Sequence, residues 1–396
     1  MDATLKPRTT QEIEDAVKWA AAEEQPLEII GEGSKRGLGR PVQAAHVLNL
    51  SAVTGIESYE PAELILTVKA GTPIAEVEKL VDENAQELSF EPMDYGPLQG
   101  VDPGKGTVGG VLAANLSGPR RIKAGAARDH VLGMEAVSGR GEIFNSGGKV
   151  VKNVTGYDLP RALCGSFGTL AVASTVTLKV NPKPETSASF VLSGLGDDRA
   201  IAALCQAMGS SAEVSGAAHL PAGVGGDRSR TILRLEGFET SVDYRFKGLQ
   251  QLLSAFGSPE RLAEEDSRSL WRTIRDVEPF AGSNAPVWRV SVAPTQGPKL
   301  VDLLRGRLDV EAFYDWSGGL LWVSLPDGLV HESEIRATLA EIGGGHATLV
   351  RAVPSVRSNM DVFQPQPTPL ASLSARLKAQ FDPHGILNPG RMAAGM

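Results

Sequence analysis

The apolar positions of the chain change period along its length, and the changes mark out elements. Thr9 with Glu12 three residues on predicts a helix start of capping-box type, and Ile13, Val17 and Ala20 then share one helical face. Pro26 closes that helix, and short strands are predicted over 27–30 and 47–50. Leu64, Leu66 and Val68 alternate with their neighbours and predict another strand. Thr72-Pro73 reads as an N-cap followed by proline at the first helical position, with Ile74, Val77, Leu80 and Val81 as the apolar stripe. Strands are predicted over 131–137 and 168–180, with turns at Ser138-Gly139 and 146–148. Two prolines within 181–184 stop both helix and sheet, so that stretch reads as a linker.

Beyond the linker, helices over 198–208, 242–256, 299–304 and 332–342 alternate with strands over 231–235, 288–292, 320–325 and 348–350. This predicts an α+β domain with a helix-covered sheet. Pro365, Pro367 and Pro369 mark a loop back to the first domain, and 370–380 is a closing helix. The expected divisions are therefore 1–183, 184–358 and 359–396. No internal repeat of fixed period is visible.

Composition narrows the function. The chain has 396 residues, 42% of them hydrophobic, enough for more than one core. Lys plus Arg is 39 against 47 Asp plus Glu, a net charge of −8, which argues against a nucleic-acid partner. The one dense basic stretch, Arg120, Arg121, Lys123 and Arg128, suits one or two phosphates at most. Cys164 and Cys205 form no CxxC and no metal-ligand pattern, so no disulfide framework, zinc site or iron–sulfur ligand set is expected. There is no apolar leader and no run of 18 apolar residues, so the expectation is a cytoplasmic protein, with docking on a membrane-bound partner left open.

Two glycine-rich stretches carry candidate chemistry. Gly31-Glu-Gly33 invites a dinucleotide reading, but Arg36 occupies the third glycine position of the Rossmann pattern and no helical stripe follows. The stretch Gly33, Ser34, Lys35, Arg36 and Gly37 instead suits an anion nest, in which backbone amides converge, Ser34 adds a hydroxyl and Lys35 or Arg36 neutralises charge. A solvated surface loop is the alternative. The second stretch, 106–118, reads as a helix ending at Ser117-Gly118. Its interior glycines Gly109 and Gly110 each cost about 1 kcal/mol relative to alanine, which is tolerated where a flat ligand or another backbone comes close. For Gly110 alone, tight helix–strand packing is the preferred reading.

Four stretches, in order, are similar to the FAD-binding family of vanillyl-alcohol-oxidase (PCMH) type, which includes D-lactate and glycolate dehydrogenases. They are the loop 31–38; Gly106-Thr-Val-Gly-Gly110 with Asn115-Leu-Ser-Gly118; Asp129-His-Val-Leu-Gly133 leading to residues 152–158 and to 165–172; and the terminal 382–390. The resemblance implies an FAD-binding domain of two α+β subdomains followed by a ferredoxin-like α+β cap and a C-terminal return. It implies that Gly31, Gly33, Ser34, Lys35, Arg36, Gly37 and Leu38 hold the FAD diphosphate. It carries Thr107, Gly109, Gly110, Ser117 and Gly118 over as diphosphate and flavin neighbours, Gly125 as a flavin-side contact and Val172 as an adenine-end contact. The first loop has no His or Cys, so the FAD is expected to be non-covalent.

Second-domain stretches, 270–276 with Pro279-Phe280 and Tyr314-Asp-Trp316 with 318–322, are similar to the FAD-binding subunits of glycolate oxidase (dehydrogenase) complexes. The resemblance implies two partners, a homologous catalytic FAD subunit and an iron–sulfur subunit, and a small 2-hydroxy acid as the substrate of the complex. A self-sufficient FAD oxidoreductase acting on a hydroxy acid or sugar, and a redox-silent assembly subunit, are the alternatives.

The family's hydroxy-acid dehydrogenases use a His to take the substrate's proton, within a His-x-Gly-Asp-Gly-Asn-x-His stretch. Here the histidines are His46, His130, His219, His331, His346 and His384, and none matches that pattern; Pro326-Asp-Gly328 is followed by Leu-Val. No catalytic residue and no metal ligand is assigned. His384 is either an active-site edge residue or a solvated turn residue, and Tyr157 with Asp158 either a donor pair or a turn. Arg120 and Arg121 either clamp an anion or dock another subunit. The aromatics Trp271, Phe280, Trp288, Phe313, Tyr314, Trp316 and Trp322 are either core or subunit contact.

Overall fold

The computed structural model describes residues 3–148 and 156–395. The chain divides into two units: Met1–Ser117, Gly125–Lys183 and Val353–Met396 form one, Gly118–Ala124 and Pro184–Ala352 the other. The return to the first unit thus begins at Val353, ahead of the division expected at 359, and a seven-residue excursion after Ser117 belongs to the second unit.

The first unit opens with three parallel strands, β1 (Ala3–Leu5), β2 (Leu27–Ile30) and β3 (His46–Asn49), in the order β1-β3-β2. Parallel strands need a crossover, and the helix Thr10–Ala22 supplies it between β1 and β2. The Thr9 hydroxyl accepts from the Glu12 amide at 3.1 Å, as the cap predicts. The Glu12 carboxylate turns to the Arg8 amide at 2.7 Å instead of to Thr9, so only half of the expected box forms. Ile13, Val17 and Ala20 are fully buried against Leu27, Leu48, Val137 and Val172.

A second layer follows. It contains β4 (Ile56–Glu60), β5 (Ile65–Lys69), the two-residue β6 (Gln86–Glu87), β7 (Val131–Ser138), β8 (Ile143–Gly147), β9 (Ala171–Lys179) and β10 (Asn181–Pro182). Five of these make an antiparallel sheet in the order β4-β5-β9-β7-β8, while β6 pairs only with β10. The expected linker therefore starts as an edge ribbon, where proline is tolerated. The turn expected at 146–148 falls partly inside β8. Thr72 is not a helix cap: its hydroxyl accepts from the Gly55 amide at 2.9 Å, and Pro73 precedes the helix Ile74–Asp82. The helix expected over 106–118 spans only Val108–Ala113, and Asn115, at φ +49°, breaks it. The motif residues 152–155 lie outside the described residues. Tyr157 is exposed, and the Asp158 carboxylate caps the helix Leu159–Leu163, which is the turn-fixing reading of that pair.

The C-terminal return completes the first unit. Its helix Thr368–Phe381 leads to Leu387, which bridges Leu27 on the open edge of β2. The Leu27 amide donates to the Ile386 carbonyl at 2.8 Å, and the Asn388 amide to the Leu27 carbonyl at 3.0 Å. Ile386 and Leu387 enter the same core as the first helix.

The second unit repeats one topology twice. The first copy runs β11 (Thr186–Ser193), helix Asp197–Met208, β12 (Gly216–Leu220), β13 (Arg230–Gly237), helix Glu239–Leu252 and β14 (Glu260–Leu262). The second runs β15 (Val287–Ser291), helix Gly297–Arg305, β16 (Glu311–Asp315), β17 (Leu320–Ser324), helix Glu332–Glu341 and β18 (His346–Arg351). Each is a βαββαβ ferredoxin-like motif, and the eight strands form one antiparallel sheet, β14-β11-β13-β12-β16-β17-β15-β18. The two copies meet where His219 of β12 pairs with Tyr314 of β16. The repeat is topological, which is why no sequence period announces it.

That seam is polar and closed. His219 is fully buried, with Nδ1 2.9 Å from the Thr231 hydroxyl and Nε2 3.3 Å from Asp197. The other Asp197 oxygen accepts from the Tyr314 hydroxyl at 2.7 Å and from Arg305 at 2.9 Å. Burial works to raise the Asp197 pKa, but His219, Tyr314 and Arg305 bring it down to about 2. Trp271, Trp288, Phe313, Tyr314 and Trp322 are buried and form core.

Candidate functional site: a glycine-lined anion groove

Within the first unit, the loop leaving β2, the start of the helix Val108–Ala113, and strand β9 enclose a groove. Its deeper part is walled by Ile29, Ile30, Leu50, Met134, Val172 and Val176. Its mouth is formed by Gly31–Arg36, Thr107, Gly110, Phe167 and Arg391. The two parts share Gly31, Thr107 and Gly110 and so run into each other.

The backbone explains the glycines. A Cβ on Gly31 would sit 2.4 Å from the Thr107 hydroxyl oxygen, so the loop approaches the helix start as only glycine can. Gly33 turns the chain at φ +80°. Past that turn the Arg36 amide donates to the Gly33 carbonyl at 3.1 Å and the Leu38 amide to the Lys35 carbonyl at 3.0 Å. The amides of Glu32, Gly33, Ser34 and Lys35 donate to no carbonyl or side chain among the described residues. Four successive donors left in this way form a nest suited to an anion. By contrast, the amides at the start of the helix Val108–Ala113 are already taken, by Thr72, Ala70 and the Thr107 hydroxyl.

Lys35 supplies the charge. Its ammonium donates to the Ser34 hydroxyl at 3.2 Å and lies beside Gly106 and Gly110. Burial pushes its pKa down to about 8, against the pull of Asp94. A half-buried ammonium that touches a hydroxyl and, among the described residues, no carboxylate oxygen is poised for a negative ligand. Arg36 has another role: it forks onto Glu28, with Nε 2.9 Å from one carboxylate oxygen, on the exposed side of the loop.

The two neighbouring glycines divide their tasks. A Cβ on Gly109 would meet Ala70 Cβ and the Ala70 carbonyl, each at 3.0 Å, whereas one on Gly110 would face Thr107 and the Lys35 side chain. Tight helix–strand packing, expected of Gly110, is therefore the property of Gly109, and Gly110 opens on the groove.

Other candidates fall elsewhere. Gly37 packs on the Gln99 side chain and Leu38 is buried beneath the loop. The Ser117 hydroxyl accepts from the Ala127 amide at 2.8 Å, and Gly125, at φ +88°, makes a turn against Asp129. Gly118 lies in the second unit, where its carbonyl accepts from the Trp316 indole at 3.2 Å. Ser117, Gly118 and Gly125 thus do not line the groove. Arg120 is held by Glu236, whose pKa burial would raise but Arg234 and Arg120 lower to about 2. Arg121 stacks on Trp316, 4.4 Å from the ring centre. The Cys164 thiol is pushed up to about 12, chiefly by burial, and is not a nucleophile at neutral pH. His384 is exposed and His331 pairs with Asp327 at 2.6 Å.

Two lining residues had no role in the sequence reading. Asn388 accepts from the Ile29 amide and donates to the Phe167 carbonyl, both at 2.8 Å, tying the groove's two walls. Arg391 reaches the mouth from the same terminal stretch. Both lie within or next to the motif 382–390, which was the only available signal.

Comparison with known proteins identifies the family. The FAD binding domain family matches residues 1–147. Glycolate oxidase subunit GlcE of Escherichia coli is 34% identical over 97% of this chain and 97% of its own length. Glycolate oxidase subunit GlcD of Bacillus subtilis is 26% identical over 99% of this chain and 89% of its own. Among solved structures, 4-ethylphenol oxidase from Gulosibacter chungangensis superposes with a TM-score of 0.70, covering 98% of this chain and 88% of that one at 13% identity, which speaks for the fold. With a 34% identical relative aligned over nearly its whole length, the chain belongs to the FAD-binding family of glycolate oxidase subunit GlcE.

Proposed function

We propose that the protein is the flavin-carrying subunit of a glycolate oxidase (dehydrogenase) complex, and that the groove holds the FAD diphosphate and adenosine. The observation that carries the site assignment is the row of unengaged amides at residues 32–35 beside the half-buried Lys35 ammonium. FAD is the cofactor of the family, and the residues present fit it. The amides and the Ser34 hydroxyl supply donors for phosphate oxygens, Lys35 supplies charge, and Met134, Val172 and Val176 supply an apolar wall for the adenine end. The loop 31–38 offers no His or Cys for a covalent link, so the cofactor is held non-covalently.

When bound, FAD supplies acceptance of two electrons and their onward transfer. This chain's residues orient the cofactor and exclude water around its diphosphate. The proton taken from the substrate hydroxyl is assigned to a homologous catalytic flavin subunit, since none of this chain's histidines falls in a His-x-Gly-Asp-Gly-Asn-x-His stretch. An iron–sulfur subunit completes the proposed assembly as the outlet for electrons. The names of the E. coli and B. subtilis relatives, both subunits of glycolate oxidase, support this reading.

The test is co-purification from the native host followed by assay. Glycolate oxidation is expected from the assembled complex and not from this chain alone, whose own flavin stays oxidised when glycolate is added. Bleaching of the isolated chain's flavin by glycolate overturns the subunit reading in favour of a self-sufficient oxidoreductase.

A further inference from the structure

The loop leaving β2 is gripped by guanidinium groups of the C-terminal return. Arg357 donates to the Gly39 carbonyl at 2.6 Å, and Arg391 donates through Nη2 to the Lys35 carbonyl at 2.8 Å. The grip is mutual: the Arg40 amide donates to the Arg391 carbonyl at 2.9 Å, and the Arg40 side chain donates to the Ser358 carbonyl at 2.5 Å. These bonds hold the loop in the shape that leaves its amides at 32–35 unengaged.

Arg391 differs from its neighbours. It is 6% exposed, and a guanidinium carries five N–H donors. Among the described residues its side chain makes one hydrogen bond to protein, which uses one of them. The carboxylate whose charge acts on it is Glu28, which Arg36 already forks. Burial, with Arg357 and Arg36 adding to it and Glu28 opposing, lowers its pKa to about 10, so it remains a cation at neutral pH. Its side chain lines the mouth of the groove together with Ser34 and Lys35. A buried cation with unfilled donors, beside a second cation and a row of unfilled amides, is an arrangement that an anion with several oxygens completes.

We infer that Arg391 is a second cationic arm of the diphosphate site, so that FAD is retained only when the C-terminal return is docked. A diphosphate diester carries one negative charge on each phosphate, which Lys35 and Arg391 together match. The planar fork of arginine suits two oxygens at once, which a lysine does not reproduce. The last residues of the chain thereby belong to the cofactor site that its first residues begin. This rests on the proposed FAD reading of the groove.

The test uses the full-length chain stripped of flavin, with FAD and riboflavin as probes, because riboflavin lacks the phosphates. Dissociation constants are measured by fluorescence titration for wild type, R391Q and R391K. R391Q is expected to weaken FAD binding by about 10- to 100-fold while leaving riboflavin binding unchanged, with R391K in between. A purely structural role would lower both affinities together or neither. If R391Q fails to fold by circular dichroism, R391K decides by the same FAD-to-riboflavin ratio. Wild type that binds no FAD sinks the groove assignment itself. Wild type that binds FAD, with both variants keeping the wild-type ratio, overturns the role of Arg391 alone.

Discussion

The Lys378 ammonium donates to the Asp382 carboxylate at 2.5 Å, one helical turn apart, with neither group wetted. Lys378 also donates to the carbonyls of Thr169 and Leu387 at 2.7 and 3.0 Å, while Asp382 accepts from the amides of Ile386 and Leu387. The pair is the pin of the C-terminal return, and Lys378 is the only buried side chain of its helix. Removing one partner leaves the other charge buried. Lys378→Met is expected to destabilise the first unit by about 3–5 kcal/mol, read from chemical denaturation. A loss under about 1 kcal/mol would show that the return is held by other contacts.

Gly109 and Gly110 adjoin in sequence but should respond oppositely. Gly109→Ala forces a methyl against Ala70 and is expected to lower stability by about 1–3 kcal/mol. Gly110→Leu gains roughly 0.5–1 kcal/mol of helix propensity against a 3.1 Å approach of its Cβ to the Thr107 hydroxyl and fills the groove, so FAD binding should be lost in a protein that still folds cooperatively. Thermal melts and flavin titrations on the two variants separate these outcomes.

The Lys35 amine gives FAD binding a pH signature. In the flavin-free protein its pKa is lowered to about 8, so the folded chain loses this proton before the unfolded chain does. Folding stability from this group therefore rises between pH 8 and its unfolded value near 10.5. Anion binding runs the other way, because only the protonated amine attracts phosphate. FAD affinity should fall as pH rises above 8, by up to about tenfold per unit, and Lys35→Met should be weaker and flat over that window. Titrations at pH 7 and pH 9.5 suffice.

In the second unit, Asp197 links the two ferredoxin-like copies. Its pKa, depressed from 3.8 to about 2, means that its contribution is complete above pH 3.8 and disappears as pH falls towards 2. The shift corresponds to about 2 kcal/mol. Asp197→Asn should cost stability of that order at pH 7 and little at pH 2, with the difference read from denaturation curves at both values.

Much of this was legible in the sequence, and what was not has identifiable causes. Ile13, Val17 and Ala20 declared their helix because one face is buried without interruption. The stretch 33–37 offered a candidate anion nest beside the reading of a solvated loop, and the unengaged amides at 32–35 fit the nest. Strands β11 and β12 escaped, since Ser187 and Ser189 are buried against Ser267 of the helix Glu264–Arg275 and His219 is buried against Thr231 of β13, and their hydroxyl and imidazole groups erase the apolar pattern. Ser117 and Gly125 came in by resemblance, and the contacts they make within the chain are the Ala127 amide on the Ser117 hydroxyl and Asp129 beside Gly125. Arg391 was illegible because its neighbour in space, Lys35, is 356 residues away in sequence.

The visible absorption spectrum of the purified chain tests the central claim most directly. The protein should be yellow, with flavin close to one per chain that leaves as free FAD when the protein is denatured. A colourless chain that stays colourless after incubation with excess FAD and removal of the unbound cofactor would contradict the account.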